Sequence, residues 1–112
     1  MIEKRVAQAQ WDELAKGFND RYCGCEVEVT ILDPEMGERH EMDPEPLLEL
    51  ATKNVEGIDR FDLVTGPMDH PFTHAVPWTR DVWIEAADDG SEEVLSIVGE
   101  NGITTVLHCR KH

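Results

Sequence analysis

A chain of 112 residues can bury one hydrophobic core and not two, so a single domain over residues 1–112 is expected. Its 24 acidic side chains against 10 basic ones give a net charge of -14, which repels nucleic-acid phosphates and anionic membrane surfaces and argues against both as partners. No stretch reaches the ~18 apolar residues of a membrane helix, no apolar leader follows Met1, and three cysteines are too few and too unevenly spaced for a disulfide framework. A cytoplasmic protein with reduced thiols is expected.

Ala7, Trp11, Leu14, Ala15 and Phe18 recur at helical spacing and predict an N-terminal amphipathic helix, with Gly24 releasing the chain into a strand. From Cys25 the period becomes two: Cys25, Val27, Val29 and Ile31 share one face, Glu26, Glu28 and Thr30 the other. Asp33-Pro34-Glu35-Met36-Gly37 reads as a turn, so 38–42 should return antiparallel. Residues 43–54 are ambiguous. Asp43 as N-cap, Pro44 at the first helical position and Leu47, Leu48, Leu50 and Ala51 slightly favour a short helix on local rules.

A strand is expected over 60–65, and 70–77 with 80–86 form one bent strand or two short ones, broken at Pro77-Trp78-Thr79 with the proline at an edge or bulge. The clearest hairpin joins 93–98 to 103–109 through Asn101-Gly102. A two-residue turn there sets Val98 opposite Thr105 and Ser96 opposite Leu107, with apolar groups on both faces. A pair buried on both sides needs two coverings. The elements therefore predict an α+β fold: the N-terminal amphipathic helix packed on a curved antiparallel β-sheet or open barrel of about six to seven strands.

Trp11 and Phe18, Val27 and Val29, Pro46-Leu47-Leu48, Phe61-Asp62-Leu63-Val64, and the stretch from His74 through Pro77, Val82, Glu92-Glu93, Leu95, Ile97, Asn101-Gly102 and Leu107 form a pattern spanning nearly the whole chain. In these residues the sequence resembles a small bacterial family known only as a domain of unknown function. The resemblance implies a strand rather than a helix over 46–53, and it supplies no activity or catalytic residue.

Candidate chemistry is sparse. Cys23 and Cys25, with His108 and Cys109, are the one set of soft ligands that could converge on zinc, but a single residue between paired cysteines is poor metal spacing, and cysteine is often a plain buried hydrophobe. His70 and His74 would share a metal only on a helix; on a strand they stand about 13 Å apart. The nucleophile elbow, glycine-rich phosphate loop and calcium loop are all absent, so no catalytic, cofactor-binding or metal residue is nominated and no cofactor is expected. Trp83, flanked by Val82 and Ile84, either faces outward as a partner contact or packs under the helix, the second being favoured.

The reading that results is a non-enzymatic acidic domain that binds a protein partner or itself as a homodimer. Two others stay open: a metal-binding or thiol protein using Cys23, Cys25 and Cys109, and an inhibitor that mimics nucleic-acid charge. The acidity and the four lysines also fit plain solubility or a high-salt setting.

Overall fold

Trp11, Ala15, Phe18 and Tyr22 are the four buried residues of helix α1 (Trp11–Tyr22), and their spacing of three and four draws one apolar stripe along it. Asp12 and Glu13 in its first turn and Arg21 in its last complement the helix dipole. The computed structural model describes residues 2–76 and 78–110, with the side chains of 2, 39–43 and 55 outside the description. The helix starts later than its spacing predicts. Ala7 is exposed ahead of a 3-10 turn (Gln8–Gln10), and Val6 is buried in its place, its carbonyl accepting the Trp11 indole N–H at 3.1 Å.

Eight strands follow or flank the helix: β1 (Ile2–Arg5), β2 (Glu26–Asp33), β3 (Gly37–Val55), β4 (Ile58–Thr65), β5 (Phe72–Val76), β6 (Thr79–Ala86), β7 (Glu92–Gly99) and β8 (Thr104–Arg110). They form one antiparallel sheet in the order β1-β6-β7-β8-β2-β3-β4-β5, which leaves β1 and β5 as unjoined ends. The α+β class with a curved open sheet is as expected. The strand count is higher than six to seven: eight, or nine if the two halves of β3 are counted apart. The unforeseen strand, β1, carries Glu3, Lys4 and Arg5 in four residues and gives no apolar alternation to read. The stretch from 70 to 86 resolves into two strands, and Pro77 lies outside the described residues.

The ambiguous segment is the second half of β3. Up to Pro46 the strand pairs with β2, and from Leu47 onward it pairs with β4, with a register shift between Leu47 and Glu49. Pro44 and Pro46, which cannot donate to a ladder, sit next to this change of partner. Where β3 leaves β2, the helix takes over its backbone: Asn19 accepts from the Leu50 N–H at 2.7 Å and donates to the Leu50 carbonyl at 2.8 Å. Leu47 N–H reaches Cys25 O and Gly24 N–H reaches Leu47 O. These long-range bonds override the local helix signals of 43–54, as the family likeness implied.

The β7–β8 hairpin departs from prediction by one residue. Leu95 faces Leu107, Ile97 faces Thr105 and Val98 faces Thr104, because the loop has three residues, Glu100 to Gly102. Gly99 N–H bonds Ile103 O, and Gly102 takes the left-handed backbone (φ 84°) that a three-residue hairpin places on glycine. A slip of one residue regroups every side chain. Leu95, Ile97, Leu107 and Cys109 all join the core, while Val94, Val98 and Val106 are half-buried on the outer face, so one covering suffices rather than two.

Phe18 and Tyr22 lie over the concave side of the sheet in one cluster with Val27, Val29, Leu47 and Leu107. Trp11 stacks at a tilt on Phe61 of β4, ring centroids 5.6 Å apart. Phe18 has no exposed surface and supports both Tyr22, at 5.3 Å, and the guanidinium of Arg21. Changing Phe18→Ala should lower unfolding free energy by about 3–5 kcal/mol in urea titration. A loss under about 1 kcal/mol would show that the helix is not what holds the sheet.

Candidate functional site

The soft ligands do not converge. All three cysteines are free thiols: Cys109 is buried, Cys25 packs against the same core, and Cys23 is exposed with its Sγ 3.5 Å from Leu48 O. His108 points to the opposite face of β8 from Cys109 and meets Glu92 at 3.1 Å. Among the described residues no three His, Cys, Asp or Glu side chains gather as a metal site. His70 stays in the connection before β5, whereas His74, on β5, reaches across the concave face to Thr105 Oγ1 of β8 at 3.2 Å.

Trp83 does not pack under the helix. It opposes Ser96 on the outer face of the sheet, half-buried, in a row with Val106 and Thr30. The flanking rows read Glu28, His108, Val94, Glu85 and Leu32, Thr104, Val98, Asp81. In these rows charged and apolar side chains alternate, and no continuous carboxylate stripe runs along them. No helix is long and apolar enough to cross a membrane among the described residues.

Two polar arrangements have structural explanations. Asp62, buried on β4, faces Lys53 Nζ at 3.2 Å and Arg60 Nε at 2.9 Å. At the end of the sheet that α1 covers, Glu93 accepts the Tyr22 hydroxyl at 3.0 Å and pairs with Arg21 Nε at 2.9 Å, so a carboxylate taken into the core has both a donor and a counter-charge. Burial first, and the Glu93 hydrogen bond and charge second, push the Tyr22 hydroxyl well above its usual range. Burial also pushes the Cys109 thiol up to about 12, with Glu93 adding to it.

The other end of the concave face is open. Beyond the reach of α1, a cleft of about 570 Å³ opens between β5 and the β7–β8 hairpin, walled by Ile31, Val76, Ile103 and Trp78. That volume suits a small ligand or a few side chains of a partner. His74 and Thr105 meet on one side of it, and Glu100 and Asn101 form its rim.

Trp78 dominates the mouth. Its side chain is 54% exposed, and its backbone is left-handed, with φ at 57°. For a bulky residue that conformation costs about 1–2 kcal/mol. Glu56 also has positive φ, but it occupies the first position of a two-residue β3–β4 hairpin turn, followed by Gly57, where the turn demands it. The β5–β6 corner is held by Thr79 Oγ1 bonding Val76 O at 2.8 Å, and the Trp78 carbonyl is tied to the Glu100 N–H at 2.9 Å. On its far side Trp78 borders a smaller depression of about 270 Å³ with Asp59, Arg80 and, again, Glu100. The sequence marks this residue only as an interruption between strands. Its one signal was an aromatic residue where a corner calls for glycine or asparagine.

Comparison with family models, with curated proteins and with solved structures finds no match to the chain.

Cys23 and Cys109, both at the end that α1 covers, differ in access. An alkylating reagent at pH 8 should modify Cys23 readily and leave Cys109 untouched until the protein unfolds; labelling of Cys109 at the rate of Cys23 would contradict its burial. Because the folded-state values of Cys109 and Tyr22 are raised, their contribution to stability is complete below about pH 9 and is lost as pH rises toward 12 and beyond. Urea midpoints should fall across that range.

Proposed function

We propose that this chain is a non-enzymatic acidic domain that binds a protein partner, taking a basic, apolar-tipped segment of it at the Trp78 cleft. The observation that carries this reading is Trp78 itself: a large aromatic held half out of the fold in a strained backbone conformation, on the rim of an apolar cleft. Strain of this kind persists where something other than stability maintains it. Aromatic anchors in such positions supply much of the energy of protein interfaces.

Charge selects the partner. With a net charge of -14, two copies of this chain repel each other, and a cationic segment is attracted. Glu100 borders Trp78 on both sides, and on one side Asp59 joins it beside Arg80, whose charge is met by Asp81, so a lysine or arginine at Glu100 meets a carboxylate and an indole face together. A cytoplasmic setting belongs to the same reading, supported by the odd number of free cysteines. The likeness to the small bacterial family rests on the residues quoted above and adds no activity.

A peptide array spanning net charges of both signs, probed with the labelled protein, tests this. Binding should concentrate on basic peptides that carry an apolar residue, weaken as salt is raised, and drop about tenfold or more in Trp78→Ala with the fold intact by circular dichroism. Equal binding to acidic peptides, or affinity unchanged in Trp78→Ala, would refute the assignment.

A further inference from the structure

We infer that the outer face of the sheet around β7 receives a basic amphipathic helix of a partner protein. The site is separate from the Trp78 cleft, which opens on the concave face. Along β7 the outward side chains are Val94, Ser96 and Val98, all half-buried. Trp83 of β6 and Val106 of β8 oppose Ser96 from its two sides. A small side chain thus lies between an indole and a valine, which makes a shallow trough along the strand. Leu32 of β2, 40% exposed, continues the apolar surface in the row of Val98 and Thr104. A sheet face that meets only water carries polar side chains at such positions.

The trough has the dimensions of a helix. Val94 to Val98 covers about 14 Å at ~3.4 Å per residue, which roughly nine residues of helix span at ~1.5 Å each. Across it, Trp83 and Val106 stand two strand spacings apart, about 10 Å, the diameter of an α-helix with its side chains. The three strands concerned, β6, β7 and β8, are all inner strands paired on both sides, so an occupant meets side chains and no open edge. A helix satisfies its own backbone and offers one apolar stripe, and helices are the ordinary covering of a sheet face.

Charge fixes the chemistry of the helix flanks. At one end of the trough Glu3 of β1 stands directly opposite Glu85 of β6, and Glu28 of β2 lies farther along the same row. Like charges placed opposite each other destabilise a sheet. The cations described near this face are engaged elsewhere, Arg5 and Arg80 with Asp81, His108 and Arg110 with Glu92, so among the described residues no cation meets Glu3, Glu28 or Glu85. Lysines or arginines beside the apolar stripe of an incoming helix answer those three carboxylates. A second copy of this chain, with its own charge of -14, adds to the repulsion instead.

The probe is a peptide of about four helical turns, built of leucine and lysine at amphipathic spacing and titrated by calorimetry into the full-length Trp78→Ala protein, so that the cleft takes no part. It should bind, and a scrambled peptide of the same composition, which keeps the charge without the stripe, should bind about tenfold or more weakly. Adding Trp83→Thr and Val106→Thr, which leave the net charge unchanged, should weaken the ordered peptide by a similar factor. If that variant loses its circular-dichroism signature, Glu28→Gln with Glu85→Gln leaves the trough in place and should weaken binding about threefold or more. Absence of binding, equal binding of the ordered and scrambled peptides, or unchanged affinity in the folded variant tested overturns the inference. A dimer in sedimentation that Trp83→Thr and Val106→Thr dissolve would place a second copy in the trough and overturn the partner assignment. Every one of these outcomes leaves the cleft reading where it stood, because Trp78 is absent throughout.

Discussion

An antiparallel sheet that gathers its apolar residues on one face must have that face covered, and here the cover is a single helix of 12 residues. At 1.5 Å per residue α1 is about 18 Å long. Eight strands at ~4.8 Å spacing make a sheet roughly 34 Å wide. One short helix cannot shield it all. The sheet solves part of the mismatch by bending at β3, where the strand exchanges β2 for β4 and Asn19 of the helix binds the backbone that the exchange leaves unpaired. The bend lets β5 come over the concave face until His74 meets Thr105. What neither the helix nor the bend covers is the cleft at Trp78.

The two ends of the concave face are therefore chemically unlike. At the covered end, Tyr22, Arg21 and Glu93 satisfy one another, and Cys109 is sealed and held protonated. Such a network rigidifies its surroundings and offers nothing to a ligand. The open end keeps an apolar wall accessible and a half-exposed aromatic residue in an unfavourable conformation. Each of these features is a liability in a domain that only needs to fold, and their coincidence at one place is the basis for assigning function there.

Much of the architecture was legible in local patterns because the relevant forces are local. The stripe of Trp11, Ala15 and Phe18 marked the helix, and the alternation of Val27, Val29 and Ile31 marked β2. Features that depend on distant partners were not. Residues 43–54 carry good helix signals and become strand because β4 and α1 supply their hydrogen bonds; β1 has no pattern of its own beyond its pairing with β6. The hairpin register hinged on whether Asn101-Gly102 closes a loop of two residues or three, a difference that two-residue turn preference could not decide. The candidate site was the least legible part, because Trp78 looks like a chain break until its φ and its exposure are known. The cysteines, conspicuous in sequence, do not gather with His108 into a ligand set: Cys25 and Cys109 share the core face, Cys23 is exposed, and strand alternation turns His108 to the other face of β8.

The central claim is that Trp78 is retained against stability. Its most direct test is the unfolding free energy of Trp78→Gly beside Trp78→Ala, since both remove the half-exposed indole and glycine alone accepts positive φ without strain. A strained position predicts that Trp78→Gly is at least as stable as the wild type and more stable than Trp78→Ala by about 1 kcal/mol in urea titration. A Trp78→Gly variant less stable than both the wild type and Trp78→Ala would show that Trp78 serves the fold, and the open end of the sheet would lose its claim to be a binding site.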